Sequence, residues 1–162
     1  MITVQGVHHV KLPVSDLTRS RGWYESVLGV QPWLEFPDGN GVIRGVAYHP
    51  LGTLTLCLRE DPPRASAFAG FDPLAILVAT RADLDDVTAH LDHLGIPHGP
   101  VTTATLGWLL STTDPDDVDL RFYTAEHHPP GAVPGGGITA GAALATSARL
   151  AVLSEAPRPK ES

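Results

Sequence analysis

The segment near the amino terminus combines a histidine with the alternation of a β-strand. Val10 and Leu12 alternate with His9, so the imidazole should lie on the opposite face of the strand from these apolar side chains. Imidazole titrates near neutral pH, so a histidine that faces a cleft can act as a general base. A histidine held by a neighbouring side chain fits the same pattern equally well. Its neighbour His8 should point the other way and pack beside a helix.

Three basic side chains map to the same side of the predicted strands as His9. Lys11 follows it by two residues, and Arg59 and Arg121 lie on later strands. A cationic cleft in a chain with 11 basic and 18 acidic residues would suit a carboxylate, a phenolate or an enolate. Asp119, two residues before Arg121, shares its face and can neutralise it. A structural ion-pair network is therefore the alternative interpretation.

Aromatic side chains on the predicted strands could form the wall of this cleft. They are Trp33, Tyr48, Trp108 and Tyr123. Such a wall suits a flat aromatic ligand, although aromatic residues on strands are also frequent in protein cores. Cys57 is the only cysteine, which excludes an internal disulfide. No histidine is adjacent to it in sequence, so we interpret Cys57 as a small buried hydrophobic residue on the cleft side of its strand rather than a nucleophile.

The elements that carry these residues occur twice along the chain. In the first copy, a strand at 8–14 leads into a helix that Ser15 or Asp16 caps and that Gly29 ends. Turn-forming segments rich in glycine, proline and aspartate then separate three short runs of strand-forming residues. These strands are predicted near 30–36, 42–49 and 52–60.

The second copy repeats this order with weaker signals. Its strand covers 73–78, and its helix begins at the box Thr80-x-x-Asp83 and ends at Gly95. Three more strands are predicted near 98–104, 106–113 and 117–124. The predicted organisation is a first module at 1–60, a linker at 61–71, a second module at 72–126 and a Pro/Gly/Ala-rich tail at 127–162 with a short helix near 139–153. That tail is either a loose extension or an arm that docks in a dimer.

Composition restricts the class of partner. The formal net charge of −7 and the absence of a basic run argue against nucleic acid and against anionic membrane surfaces. No run of 18 apolar residues and no signal-peptide pattern occurs in the sequence. We therefore expect a cytoplasmic protein whose partner is a small molecule.

The quoted elements carry a resemblance to a known superfamily. It rests on Val7-His8-His9-Val10, Asp16-Leu17, Ser20, Trp23-Tyr24, Leu28-Gly29 and Asp114-Pro115-Asp116-Asp117. Together they resemble the vicinal oxygen chelate superfamily, which includes glyoxalase I, bleomycin-resistance proteins and extradiol dioxygenases. The resemblance covers about residues 6–125. It implies an α+β fold of paired βαβββ modules whose mixed sheets curl into a cup, often completed by dimerisation.

The resemblance also implies four positions from which the metalloenzymes of the superfamily supply metal ligands. In this sequence they fall on His9, on or next to Cys57, on Pro73 and on Arg121. Proline has no side-chain donor and arginine remains a cation, so two of the four positions cannot bind a divalent metal. We therefore predict no metal and no other cofactor.

The leading functional hypothesis is a metal-independent binding protein of the bleomycin-resistance type, in which a homodimer sequesters an aromatic or anionic compound. One alternative is an isomerase, lyase or cyclase with His9 as base and Arg121 or Lys11 stabilising an enolate-like intermediate. A metal-dependent enzyme of the glyoxalase or dioxygenase type is the third hypothesis. These hypotheses differ in whether the bound compound is converted.

Overall fold

The computed structural model describes residues 2, 3 and 6–129. The elements in chain order are β1 (Val10–Val14), α1 (Leu17–Leu28), β2 (Leu34–Pro37), β3 (Ile43–Leu51), β4 (Leu54–Glu60), α2 (Pro62–Phe68), β5 (Leu74–Val78), α3 (Arg81–Leu94), β6 (Thr102–Thr103), β7 (Trp108–Thr113) and β8 (Asp119–Thr124). They form two four-stranded sheets, which confirms the predicted α+β class with a repeated order of strand, helix and three strands. The predicted helix near 139–153 lies outside the described residues.

The first compact unit contains the chain up to Phe71 together with Thr113–Val118. Its sheet has the strand order β1-β4-β3-β2, in which β1 runs parallel to β4 and the other pairs are antiparallel. β1 therefore lies at an edge of this sheet, where Pro13 can be accommodated although it has no N–H to donate.

Helix α1 covers one face of this sheet because its apolar residues recur at helical spacing. The Asp16 carboxylate caps the helix by accepting a hydrogen bond from the Arg19 N–H at 3.0 Å, and Gly29 ends it with φ of 62°. The buried face of the helix contacts β3 and β4. It consists of Leu17, Ser20, Tyr24 and Val27.

The Asp-Pro-Asp turn is bound to α1 through a buried carboxylate. Asp114 accepts a hydrogen bond from the Tyr24 hydroxyl at 3.0 Å and from the backbone N–H groups of Asp116 and Val118 at 2.8 and 2.9 Å. Burial raises the pKa of the Asp114 carboxyl, and these hydrogen bonds oppose that shift. Asp116 also accepts from the Ser15 N–H at 2.8 Å. These partners are distant from the turn in sequence, so no local pattern predicted them.

Among the described residues, the second compact unit contains Asp72–Thr112 and the chain from Asp119 to Pro129. Its sheet has the order β5-β8-β7-β6, in which β5 runs parallel to β8. The predicted start box of α3 is confirmed, because the Thr80 hydroxyl accepts from the Asp83 N–H and the Asp83 carboxylate accepts from the Thr80 N–H. Leu84 is fully buried on this helix.

Replacing Thr80 by alanine should lower the free energy of unfolding by about 1 kcal/mol, because the hydroxyl that caps the first turn of α3 is lost. Urea denaturation followed by circular dichroism measures this change. Thr80→Ser keeps the hydroxyl and is the matched control. Equal stability of Thr80→Ala and the parent chain would contradict the assignment of the cap.

Two segments differ from the predicted elements. The segment treated only as a linker contains α2, which Asp61 caps and which has proline in its first turn. β6 has two residues in place of the predicted strand near 98–104, and His98 forms only an isolated bridge with Thr112. Pro97 and Pro100 flank that bridge and cannot donate to a ladder.

Among the described residues, no helix combines the length and apolar character needed to cross a membrane.

Candidate ligand-binding site

A cavity of about 390 Å³ lies on the sheet of the first unit. Such a volume is within the range of small-molecule sites. Its lining comes from all four strands and from residues that precede β1 and β2. These residues are His8, His9, Lys11, Trp33, Leu34, Phe36, Gly45, Ala47, Thr55, Cys57, Leu58 and Arg59.

The strand registers arrange much of this lining in rows that run across the sheet. The middle row consists of Leu34, Ala47, Cys57 and Lys11. The arginine row consists of Phe36, Gly45 and Arg59. Successive side chains on one face of a strand are about 7 Å apart, so the two rows are separated by that distance along the strands.

Small residues form the floor of both rows. A Cβ atom on Gly45 would lie 3.1 Å from the carbonyl oxygen of Leu58, which is a tight contact, and at ordinary contact distance from Cδ of Arg59 and Cδ2 of Phe36. Gly45 is therefore flanked on this face by one cationic and one aromatic side chain. Ala47 and Cys57 provide the floor of the middle row, and burial raises the pKa of the Cys57 thiol while nearby Lys11 opposes that shift. A protonated thiol agrees with the interpretation of Cys57 as a small cleft residue.

Lys11 and Arg59 differ from the other basic side chains that the structure describes. Those others each form an ion pair with a carboxylate, and they are Arg19, Arg21, Arg44, Arg64, Arg81 and Arg121. Within residues 2, 3 and 6–129, Lys11 and Arg59 make no such pair. Arg59 only helps to lower the pKa of Asp61, an effect due mainly to the hydrogen bond from Arg64. No acidic residue occurs in the described lining of the cavity. The cavity is therefore cationic.

Two histidines also open onto the cavity. The Nδ1 atoms of His8 and His9 are 3.0 Å apart, and the rings pack edge to face with centroids 5.2 Å apart. In the neutral pair, one ring nitrogen donates and the other accepts. The expectation that His8 points away from the cleft was wrong, because β1 begins only at Val10 and strand alternation does not extend to His8. The role of His9 as a base stays a prediction.

Thr55 is the hydroxyl-bearing residue of the described lining, and its hydroxyl is hydrogen-bonded to a histidine. Nδ1 of His49 lies 2.8 Å from Oγ1 of Thr55. The His49 ring also packs against Trp33, with centroids 4.9 Å apart. We call Trp33, His49 and Thr55 the threonine row. His49 was not among the predicted site residues, and the only signal for it in the sequence was its place in a hairpin opposite the start of β4.

Tyr48 does not line the cavity, in contrast to the prediction. It is fully buried, and its hydroxyl donates to Glu25 of α1 at 3.3 Å. Burial, reinforced by Glu25, raises the pKa of this hydroxyl. Gly45 and Ala47 face the cavity, so alternation along β3 places Val46 and Tyr48 in the core.

The remaining predicted residues belong to the second unit and do not line this cavity. Leu120 and Phe122 are buried, whereas Asp119, Arg121 and Tyr123 alternate with them along β8 and are half-buried. Asp119 and Arg121 therefore share one face of the strand, as predicted. The guanidinium of Arg121 pairs with Asp72 at 2.6 Å, and the Tyr123 hydroxyl accepts from the Leu106 N–H at 3.3 Å. The ring of Trp108 packs edge to face on His128. Their roles in binding stay predictions.

The residues at the positions implied for metal ligands do not fit a metal centre. Pro73 offers no donor, and Arg121 is a cation already paired with a carboxylate. Within the part of the chain that the structure describes, no three His, Cys, Asp or Glu side chains are grouped so that they could hold a metal ion. We therefore derive no chemical step that uses a metal.

Similarity to known proteins agrees with this architecture. The sequence model of the Glyoxalase/Bleomycin resistance protein/Dioxygenase superfamily matches residues 6–122. The structure resembles a glyoxylase/bleomycin resistance protein/dioxygenase domain from Frankia sp. EAN1pec, with 26% identity over 76% of this chain and 100% of that chain and a TM-score of 0.63.

Two further solved structures share the fold at lower identity. The fosfomycin resistance protein FosX from Listeria monocytogenes is 15% identical over 76% of this chain and 96% of its own, with a TM-score of 0.59. The antibiotic binding protein TnmS3 from Streptomyces sp. CB03234 is 21% identical over 76% of this chain and 98% of its own, with a TM-score of 0.58. The match over most of the chain, together with the two strand-helix-three-strand units, means that this chain belongs to the Glyoxalase/Bleomycin resistance protein/Dioxygenase superfamily.

Proposed function

We propose that this protein is a metal-independent small-molecule binder that sequesters an aromatic anion in the cavity of its first unit. The observation that carries the proposal is the charge of that cavity. Lys11 and Arg59 line it without a carboxylate partner within the described residues, although the whole chain has a net charge of −7. A bound carboxylate or sulfonate would supply the missing anion through charge-assisted hydrogen bonds.

The aromatic character of the ligand follows from exposed apolar side chains beside these cations. Trp33, Leu34 and Phe36 line the cavity and are 55%, 44% and 42% exposed. A flat ring placed against them would remove this apolar surface from water, and the released free energy is about 25 cal/mol per Å² buried. A ligand that combines a ring with an anionic group therefore matches both parts of the lining.

One structural relative supports a binding role. TnmS3 is described as an antibiotic binding protein. FosX is a fosfomycin resistance protein whose structure is also known with Mn(II), so it supports the fold and not the absence of a metal-dependent reaction. At 21% identity TnmS3 likewise supports the fold, and the use of that fold for sequestration is part of our proposal. Homodimerisation and a cytoplasmic location complete the proposal, the latter in line with the single cysteine. Light scattering of the purified protein tests the dimer.

A pair of matched dyes tests the proposed function. The probes are 8-anilinonaphthalene-1-sulfonate and the uncharged N-phenyl-1-naphthylamine, which differ in the anionic group. Lys11→Met and Arg59→Met should each weaken sulfonate binding about fivefold to tenfold, because each removes one charge-assisted contact. Binding of the uncharged dye should change less than about twofold. Fluorescence titration gives both dissociation constants.

Arg64→Met is the control for this experiment, because it also removes one positive charge. Arg64 is 78% exposed, pairs with Asp61 and does not line the cavity. It should leave both dissociation constants nearly unchanged. Equal affinity of the sulfonate for the parent chain and for both cavity variants would overturn the proposed function.

An acid–base enzyme is the second candidate, and the contact between His8 and His9 at the cavity favours it. An imidazole pair can hold and move a proton next to a bound anion. The two candidates differ in the fate of the ligand. A binder returns the compound unchanged, whereas an enzyme with His9 as base forms a product that His9→Ala cannot form, and mass spectrometry of the recovered compound separates these outcomes.

A further inference from the structure

The geometry points to a second polar contact for the ligand, at Thr55, and hence to a planar aromatic acid of two or three rings that carries a hydroxyl group at the end far from its acid. This inference rests on the proposed function and specifies the class of ligand. It rests on three observations: the hydrogen bond between Thr55 and His49, the spacing of Thr55 and Arg59 along β4, and an apolar wall formed by Trp33, Leu34 and Phe36.

The first observation is the state of the Thr55 hydroxyl. Thr55 is buried, with 8% exposure, yet it lines the cavity. Its contact with Nδ1 of His49 at 2.8 Å uses one of the three hydrogen-bonding capacities of a hydroxyl. The Thr55 hydroxyl therefore keeps at least one lone pair that can accept a further hydrogen bond. A ligand hydroxyl, which both donates and accepts, matches this group in either tautomer of His49.

The second observation is the distance between this hydroxyl and the cations. Thr55, Cys57 and Arg59 lie on the same face of β4 and line the cavity, so Thr55 and Arg59 are about 13 Å apart along the strand. Lys11 on β1 is paired with Cys57 on β4, so Lys11 and Thr55 are about 7 Å apart when the distance is measured along the strands. A ligand whose acid lies near Lys11 or Arg59 must extend roughly the length of two or three fused rings to reach Thr55.

The third observation is the apolar wall that extends from the threonine row to the arginine row. Trp33 lies at the threonine row, because its ring packs on His49. Phe36 lies at the arginine row, where its ring approaches Gly45. Leu34 lies between them in the middle row. A flat ligand that spans Thr55 and Arg59 would contact this wall along its full length.

His49 acts in this arrangement as a positioning residue rather than a contact residue. It does not line the cavity, but it bonds the hydroxyl and supports the ring of Trp33. His49→Phe keeps a ring against Trp33 and removes the bond to Thr55. The variant therefore separates the two roles.

Three naphthoates test the inference. They are 2-naphthoate, 6-hydroxy-2-naphthoate, in which the hydroxyl is at the far end, and 3-hydroxy-2-naphthoate, in which it is beside the acid. The parent chain should bind the far-hydroxyl compound about fivefold more tightly than 2-naphthoate, the gain expected of one neutral hydrogen bond. The near-hydroxyl compound should show no gain. Calorimetric titration gives the three dissociation constants.

Variants at Thr55 and His49 assign the gain to this contact. Thr55→Val should abolish the preference for the far-hydroxyl compound over 2-naphthoate, and Thr55→Ser should retain it. His49→Phe should reduce the preference to about twofold or less. The preference is a ratio of two affinities in the same variant, so a general loss of stability does not change it.

The outcomes separate this inference from the proposed function. If 2-naphthoate binds and Lys11→Met weakens that binding, but the far hydroxyl gives no gain or Thr55→Val retains the gain, the inference is overturned and the proposed function stands. If Lys11→Met and Arg59→Met leave 2-naphthoate affinity unchanged, both are overturned.

Discussion

Asp114→Ala should lower the free energy of unfolding by about 3 kcal/mol, because it breaks three hydrogen bonds at a buried position. The Tyr24 hydroxyl would lose its acceptor while the Tyr24 side chain is fully buried. The N–H groups of Asp116 and Val118 would lose theirs in the same turn. An unsatisfied buried donor costs more than the net value of the bond it made. Urea denaturation at neutral pH measures the change.

Two control variants define the source of this loss. Tyr24→Phe removes only the hydroxyl and should cost about 1 kcal/mol, since Asp114 retains its two backbone donors. Asp117→Asn changes an exposed carboxylate in the same turn to a residue that also tolerates its positive φ of 62°, and should cost less than about 0.5 kcal/mol. A loss below about 1 kcal/mol for Asp114→Ala would mean that the turn is held by other contacts.

Ala47→Phe should reduce affinity for 8-anilinonaphthalene-1-sulfonate by about thirtyfold or more while the chain remains folded. Ala47 forms the floor of the middle row, between Leu34 on β2 and Cys57 on β4. A phenyl ring at this position projects into the cavity and occupies the volume that a ligand ring would use. Binding would then require displacement of a packed side chain, which is why the effect exceeds that of neutralising one cation.

Ala89→Phe is the matched control for this variant. It makes the same substitution at an exposed position of α3, outside the residues that line the cavity. Its affinity for the dye should equal that of the parent chain, and thermal unfolding should show that both variants are folded. Tight dye binding by Ala47→Phe would place the dye elsewhere on the protein and would remove the cavity from the proposed function.

The sequence was sufficient to predict most elements because their signals are local. Asp16 and Gly29 bound α1, and Thr80 and Gly95 bound α3, each through contacts within a few residues. The end of a strand depends on pairing partners instead. β6 was therefore predicted too long, and α2 was not predicted although Asp61 and two prolines mark its start.

The candidate site was predicted only in part, for a related reason. Alternation placed His9, Lys11, Cys57 and Arg59 on one side of the strands, and the structure brings these residues together at the cavity. Alternation could not show which cations are paired. The partner of Arg121 is Asp72, which is distant in sequence and adjacent only in the folded unit.

Tyr48 shows a second limit of pattern analysis. The two faces of β3 differ in side-chain size rather than in polarity, with Gly45 and Ala47 on one face and Val46 and Tyr48 on the other. A search for polar and apolar alternation cannot separate such faces. The structure identifies the buried face of β3, because the Tyr48 hydroxyl donates a hydrogen bond to Glu25 in α1.

The turn at Thr113–Val118 makes the first unit discontinuous in sequence. A gene fragment that stopped after Phe71 would encode every strand of that sheet, yet would leave the Tyr24 hydroxyl without its acceptor. The first unit therefore depends on a turn that is encoded within the second repeat of the sequence. Recombination between members of the superfamily would have to exchange α1 together with this distant turn to yield a stable chimera.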